Sequence, residues 1–250
     1  MLSTRFPPTG DHNRCLHLPD IRSMQRIVIL CVGVIPIFAV AAGAPASSAT
    51  PRFEQLTPQG LSSAQRPVAE DIMKVSGIGI HGPYNVMLRS PAMAQRLVAL
   101  MNFLRFDTSV PKKLNEFAIL IQGRLWTSQV IWGTHYPAAM KAGLSPGIAA
   151  DLQAGLKPAG MQTDEALVYD MSMELSISHE LSDATLVRAR AVFSDQQIAD
   201  LVAVSGTYVI VAMMLATGKE GMPDGSAPLE PVRDSHGGAN VQTKLPTAIP

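Results

Sequence analysis

The sequence predicts an all-α protein. Apolar residues recur at helical spacing from Gln59 to Gly218, helix start and stop signals punctuate that stretch, and no segment alternates in the manner of a strand. With 250 residues, 47% of them hydrophobic and 16% charged, the chain is long enough for one compact domain plus appendages.

The helices follow in order. Ser90-Pro91 places an N-cap before a proline at the first helical position and opens a helix expected to run to about Phe106. Pro111 opens the next, with Leu114, Phe117, Ala118, Ile121 and Leu125 on one face. A helix containing Ser128 and His135 comes after it and stops at Gly143. Ser145-Pro146 repeats the cap signal, and Thr163 is followed by Asp164 and Glu165, acids suited to the positive end of a helix. Ser182 caps another helix, and the four residues from Ser194 to Gln197 fit a capping box. The last helix, Gln196 to about Thr217, is apolar over most of its circumference. It is therefore expected to be buried on all sides, in a central core or at a subunit interface. Asp200 and Ser205 argue against a membrane span, and an oligomer is the favoured reading.

Ile27 to Ala44 is an uncharged apolar run, preceded by Arg26 and followed by the small residues Ser47, Ser48 and Ala49. This is the layout of a secretory signal, with Met24 as the expected start; a retained membrane anchor is the alternative. The expected organisation is an upstream extension at 1–23, a signal peptide at 24–49, a linker at 50–58, a helical domain at 59–220 and a flexible Pro/Gly-rich tail at 221–250. The expected location is periplasmic or secreted.

Charge excludes one class of partner. With 20 basic and 20 acidic residues, a net charge of +0 and no basic run, the chain has no footprint for nucleic acid. Both cysteines, Cys15 and Cys31, lie before the end of the signal, so a processed chain would have no thiol for a disulfide, a nucleophile or a metal. No His, Asp or Glu spacing supplies three ligands on one face, so no metal is expected, and no cofactor.

The candidate chemistry lies between Leu114 and Gly143. Glu116 precedes His135 by 19 residues, on the preceding helical segment, and reaches the imidazole if the two segments pack as neighbours. A carboxylate beside a histidine can fix its tautomer and raise its basicity, which is equipment for acid/base work. The bland alternative is a satisfied core histidine and an acid that complements a helix dipole. Arg124, Ser128, Ile131 and His135 are spaced by 4, 3 and 4, so they are read as one face, with Trp132 beside them.

These residues resemble the carboxymuconolactone decarboxylase family, which includes the alkyl hydroperoxidase D-like proteins. The likeness is carried by the stretch Leu114 to Leu120, then Arg124, then Ser128-Gln129-x-x-Trp132-x-x-His135, then Ala142 to Ser145. Upstream, Gly82-Pro83-Tyr84-Asn85 and Leu88 to Pro91 also match, and downstream Leu181 to Thr185 and the helix after Ser194 are similar to the longer, decarboxylase-type members. The resemblance covers roughly residues 60–220. It implies an alkyl hydroperoxidase D-like helical bundle assembled as a trimer or hexamer. It implies a lyase that releases carbon dioxide from a small carboxylated lactone, as in aromatic catabolism.

In the family's peroxidase-like branch, thiols stand seven and four residues before the histidine. Here those positions are Ser128 and Ile131, so dithiol peroxidase chemistry is not expected. The resemblance makes His135 the general acid/base and Glu116 its orienting partner. Candidate substrate-binding residues are Arg124 as an anion clamp, Ser128 as a hydrogen-bond donor, Trp132 as a pocket wall and His81 from the loop before Gly82. The alternatives are a hydrolase or isomerase of another small lactone, and a non-catalytic oligomeric binding protein.

Overall fold

Cap chemistry decides where most helices begin. The computed structural model describes residues 50–221 and Leu229; the expected upstream extension, signal segment and nearly all of the tail lie outside the described residues. Among those described there are nine α-helices and no strand. They are α1 Arg66–Val75, α2 Pro83–Met87, α3 Pro91–Asn102, α4 Lys112–Leu125, α5 Gln129–Lys141, α6 Pro146–Gln153, α7 Thr163–Met173, α8 Asp183–Arg190 and α9 Asp195–Gly218. The Ser128, Ser182 and Ser194 hydroxyls each accept a bond from a backbone N–H in the first turn of α5, α8 and α9. At α3 and α6 the serines occupy the cap position without a side-chain bond, and proline alone sets the first turn.

α4 is the central helix. Every residue from Leu114 to Arg124 is buried, and the helix packs against α5, α6, α7 and α9. α9, expected to be enclosed in a central core or at a subunit interface, is not enclosed within the single chain. α9 turns Ile198, Leu201, Val204, Tyr208, Val211 and Leu215 inward and leaves Val202, Ile210 and Met213 exposed. By length and composition α9 is apolar enough to cross a membrane, with a hydropathy of 2.0, yet half of that window is buried within the protein. Asp200, inside the same helix, accepts a 2.6 Å hydrogen bond from the Thr108 hydroxyl.

Two irregular joints shape what lies around α4. α3 ends at Asn102, and the chain continues as a π-helical turn, Phe103–Asp107, where a helix to about Phe106 was expected. Asn115 donates to the Leu104 carbonyl and Lys112 Nζ to the Arg105 carbonyl at 2.9 Å, so the first turns of α4 hold this segment. Between α4 and α5, Thr127 takes a positive φ of 46°, a costly conformation for a β-branched residue, and breaks the helix. The 4-3-4 spacing therefore does not describe one face: Arg124 belongs to α4, Ser128 is the α5 cap, and only Ile131 and His135 share a helix.

The stretch read as a linker, 50–58, is strapped to the domain. The Arg52 N–H donates to the Gly218 carbonyl at 2.7 Å and the Leu56 N–H to Asn85 Oδ1 at 3.0 Å, which ties it to α9 and α2.

α4 and α5 meet at Gly123. A Cβ placed there would lie 2.8 Å from Ile131 Cγ2, closer than van der Waals contact allows. Gly123→Ala is accordingly expected to cost about 1–3 kcal/mol. Ile131→Ala in the same chain should make that penalty smaller, a coupling measurable as a double-mutant cycle in urea. Strict additivity of the two substitutions would rule out this contact as the cause.

Candidate active site

α4 and α5 cross so that Glu116 and His135 face each other inside the protein. Glu116 is 1% exposed and His135 5%. Glu116 Oε2 lies 2.7 Å from His135 Nδ1, and its other oxygen, Oε1, lies 2.6 Å from Lys112 Nζ one turn earlier on α4. On the far side of the imidazole, Nε2 lies 3.1 Å from the Tyr208 hydroxyl of α9. The two rings meet edge to face, 5.0 Å between centroids.

This network fixes the proton positions. An ionised carboxylate only accepts, so His135 Nδ1–H donates to Glu116, and Nε2 is left to accept from the Tyr208 O–H. Burial pushes the Glu116 carboxyl up, but its hydrogen bonds and charge contacts with His135 and Lys112 outweigh that and hold it below the ordinary carboxylate value. Burial pulls His135 below the usual imidazole value, with Glu116 opposing. Burial also drives the Tyr208 phenol far up, so it stays protonated. The resting state is carboxylate, neutral imidazole, phenol.

His135 and Tyr208 open on a cavity of about 40 Å³. That is room for more than a single water. Its apolar walls include Ile78, Met101, Ile131, Val211 and Leu215, and its polar lining adds Ser76, Tyr84, Arg105 and Thr134. Arg105 sits on the π-helical turn that α4 holds in place. Its charge is felt by Tyr208, Tyr84 and His135 alike.

The structure brings Glu116 and His135 together and leaves the other sequence candidates off the cavity. Ser128 is the α5 cap, its hydroxyl accepting from the Ile131 N–H at 3.4 Å. Trp132 is buried against Tyr136, ring centroids 6.0 Å apart. Arg124 lies at the end of α4, buried, with Nε and Nη1 lacking hydrogen-bond partners, and burial lowers its pKa. His81 is exposed on the loop before α2. None of the four lines the cavity.

Sequence reasoning missed Tyr208, Arg105 and Thr134. Tyr208 had a signal, being the only hydroxyl-bearing aromatic in a helix of otherwise aliphatic character. Arg105 had none: a π turn rotates side chains off the helical period. Among the described residues, no three His, Cys, Asp or Glu side chains converge as a metal site would require.

The titration directions predict acid sensitivity. Because the folded protein keeps His135 neutral, the unfolded chain binds its proton first, and stability should start to fall as pH drops below about 6.5. Glu116 stabilises the fold above the unfolded carboxylate value near 4.5, and that contribution is lost as pH falls through its lower folded value. Thermal melts from pH 8 to 4 should show a fall in Tm that begins below about 6.5, with a shallower slope between pH 7 and 5 in His135→Gln. An equal slope in the variant would assign the acid sensitivity to other groups.

No protein-family model matches the sequence, and no curated protein matches it. The three-dimensional structure is similar to the crystal structure of an alkylhydroperoxidase AhpD core, an uncharacterized peroxidase-related protein from Ralstonia eutropha JMP134. The TM-score is 0.58 at 16% identity, over 70% of this chain and 93% of that one. At that identity the likeness is one of fold, and the chain has an AhpD-like, all-α fold.

Proposed function

We propose that this protein is a cysteine-independent acid/base enzyme of the carboxymuconolactone decarboxylase type, a carbon–carbon lyase acting on a small carboxylated lactone or related cyclic acid. The observation that carries the reading is the buried Glu116–His135–Tyr208 chain, because it ends on a cavity. A carboxylate, an imidazole and a hydroxyl in series form the arrangement that moves protons in hydrolytic triads, with tyrosine in the hydroxyl position. In the lyase direction the bond to the carboxyl carbon breaks, its electron pair stays on the ring, carbon dioxide leaves, and Tyr208 delivers a proton to the electron-rich carbon. His135 re-protonates Tyr208 with a proton taken from solvent, and Glu116 stabilises the imidazolium that carries it.

A second reading rests on the neutral resting state of His135. A neutral imidazole is a base, ready to take a proton from a ring carbon or a water through Tyr208 and to return it elsewhere, as an isomerase or hydrolase of a small lactone would require. Release of carbon dioxide from a panel of carboxylactones separates the two, since neither isomerisation nor hydrolysis of the lactone releases any. In either case Glu116→Gln, His135→Ala and Tyr208→Phe should each lower kcat by about 10²–10⁴-fold with the fold intact. Full activity in His135→Ala would sink the assignment.

Dithiol peroxidase activity is not part of this proposal, because residues 50–250 contain no cysteine. Peroxide turnover with a dithiol reductant should stay at the buffer level.

We further propose export to the periplasm or beyond, from the signal-like segment, and assembly as a homo-oligomer, a trimer or hexamer. The exposed apolar residues Val202, Ile210 and Met213 on α9 support assembly, since they form one stripe that water leaves unpartnered. Ile210→Asp with Met213→Asp should shift the mass measured by light scattering toward the monomer; an unchanged mass would place the interface elsewhere.

A further inference from the structure

We propose that the cavity beside His135 is a receptor for a small oxyanion, in which Arg105 grips a carboxylate with help from Thr134. The inference rests on the reading of this cavity as the place where a substrate meets Tyr208, and it names the residues that hold the substrate's charged group.

Two buried polar atoms on the cavity wall have no partner. Arg105 Nε and the Thr134 hydroxyl are both shielded from solvent and make no hydrogen bond, although both residues line the same space. Leaving a donor buried and unpaired is costly, and a threonine on a helix ordinarily returns its hydroxyl to a carbonyl of the preceding turn. Two such atoms on one cavity point to an occupant that accepts hydrogen bonds.

The charge inventory has the same sign. Arg105 forms no ion pair among the described residues, and its guanidinium stacks on the Phe106 ring, 4.8 Å from the centroid. No Asp or Glu lines the cavity. Glu116 stands behind His135, and both of its oxygens are already engaged, by His135 and Lys112. The remaining polar groups, Ser76, Tyr84 and Tyr208, carry no negative charge while protonated, and burial holds the two phenols in that form. A cationic fork in a partly apolar pocket matches an acid with a hydrocarbon body.

The fork is also held in place from behind. The Lys112 ammonium donates to the Arg105 carbonyl, Asn115 to the Leu104 carbonyl, and Thr108 to Asp200 of α9. The helix that carries Glu116 thus positions the anion grip as well, so the charge and the proton relay keep one geometry.

Titration calorimetry with 2-furoate, a five-membered ring bearing one carboxylate, tests this on the full-length chain. Binding is expected, with the neutral 2-furamide at least about 10-fold weaker, and Arg105→Gln should cost about 10-fold or more against 2-furoate while Arg105→Lys recovers part of it. Thr134→Val should weaken binding several-fold. Glu116→Gln should lower turnover of any lactone substrate by about 10²–10⁴-fold yet still bind 2-furoate; full turnover in that variant would sink the acid/base reading and leave this one standing. Circular dichroism melts identify any variant that has simply unfolded, and the amide comparison on the unmodified protein needs no variant. Equal affinity for acid and amide, binding unaffected in a folded Arg105→Gln, or no binding of formate, acetate or 2-furoate at millimolar concentration would each overturn the proposal; the last would mean that the cavity holds only water.

Discussion

A carboxylate sealed inside a helical core is the constraint on which the rest of this molecule depends. Glu116 is out of reach of water, and an ion in that position is tolerable only with each oxygen matched. One oxygen is matched by Lys112 from the same helix, the other by His135 from the next. Because the second partner comes from a different element, the crossing of α4 and α5 is fixed by the carboxylate as much as by apolar packing. The Gly123 approach to Ile131 is the steric counterpart of the same crossing.

α4 repeats this logic along its length. It carries Asn115, Glu116, Gln122 and Arg124 in a run that is buried throughout, a composition usually expected at a surface. Three of these have tertiary partners: Asn115 with the π-helical turn, Glu116 with α5, and Gln122 with Ser176 beyond α7. The helix organises its neighbours through polar contacts as well as apolar ones, so hydropathy alone does not single it out as the central element. α9 is the more apolar helix, but one of its faces remains open.

The same contrast explains how far the sequence could be read. Helix starts were legible because caps and prolines act locally, and the Glu116–His135 pair was legible because two titratable groups stand out in an apolar stretch. The alignment of Arg124 with Ser128 and His135 failed at Thr127, whose left-handed backbone has no sequence signature in a β-branched residue. Arg105 was invisible for a related reason: the π turn that aims it depends on tertiary partners, in the first turns of α4 and, 92 residues away, in α9. The all-α class was readable from periodicity, whereas the two irregular joints beside α4 are features that periodicity averages away.

Ser128 and Ile131 tie the start of α5 to its crossing with α4. They occupy the two positions where the resemblance would place thiols, and each has a separate architectural duty, one closing the first turn of α5 and the other filling the groove at Gly123. Placing a thiol pair there would mean replacing a helix cap and a wedge in the core together. The junction works as a double lock: the turn that starts α5 also limits how closely α5 approaches α4, so helix start and helix crossing change together.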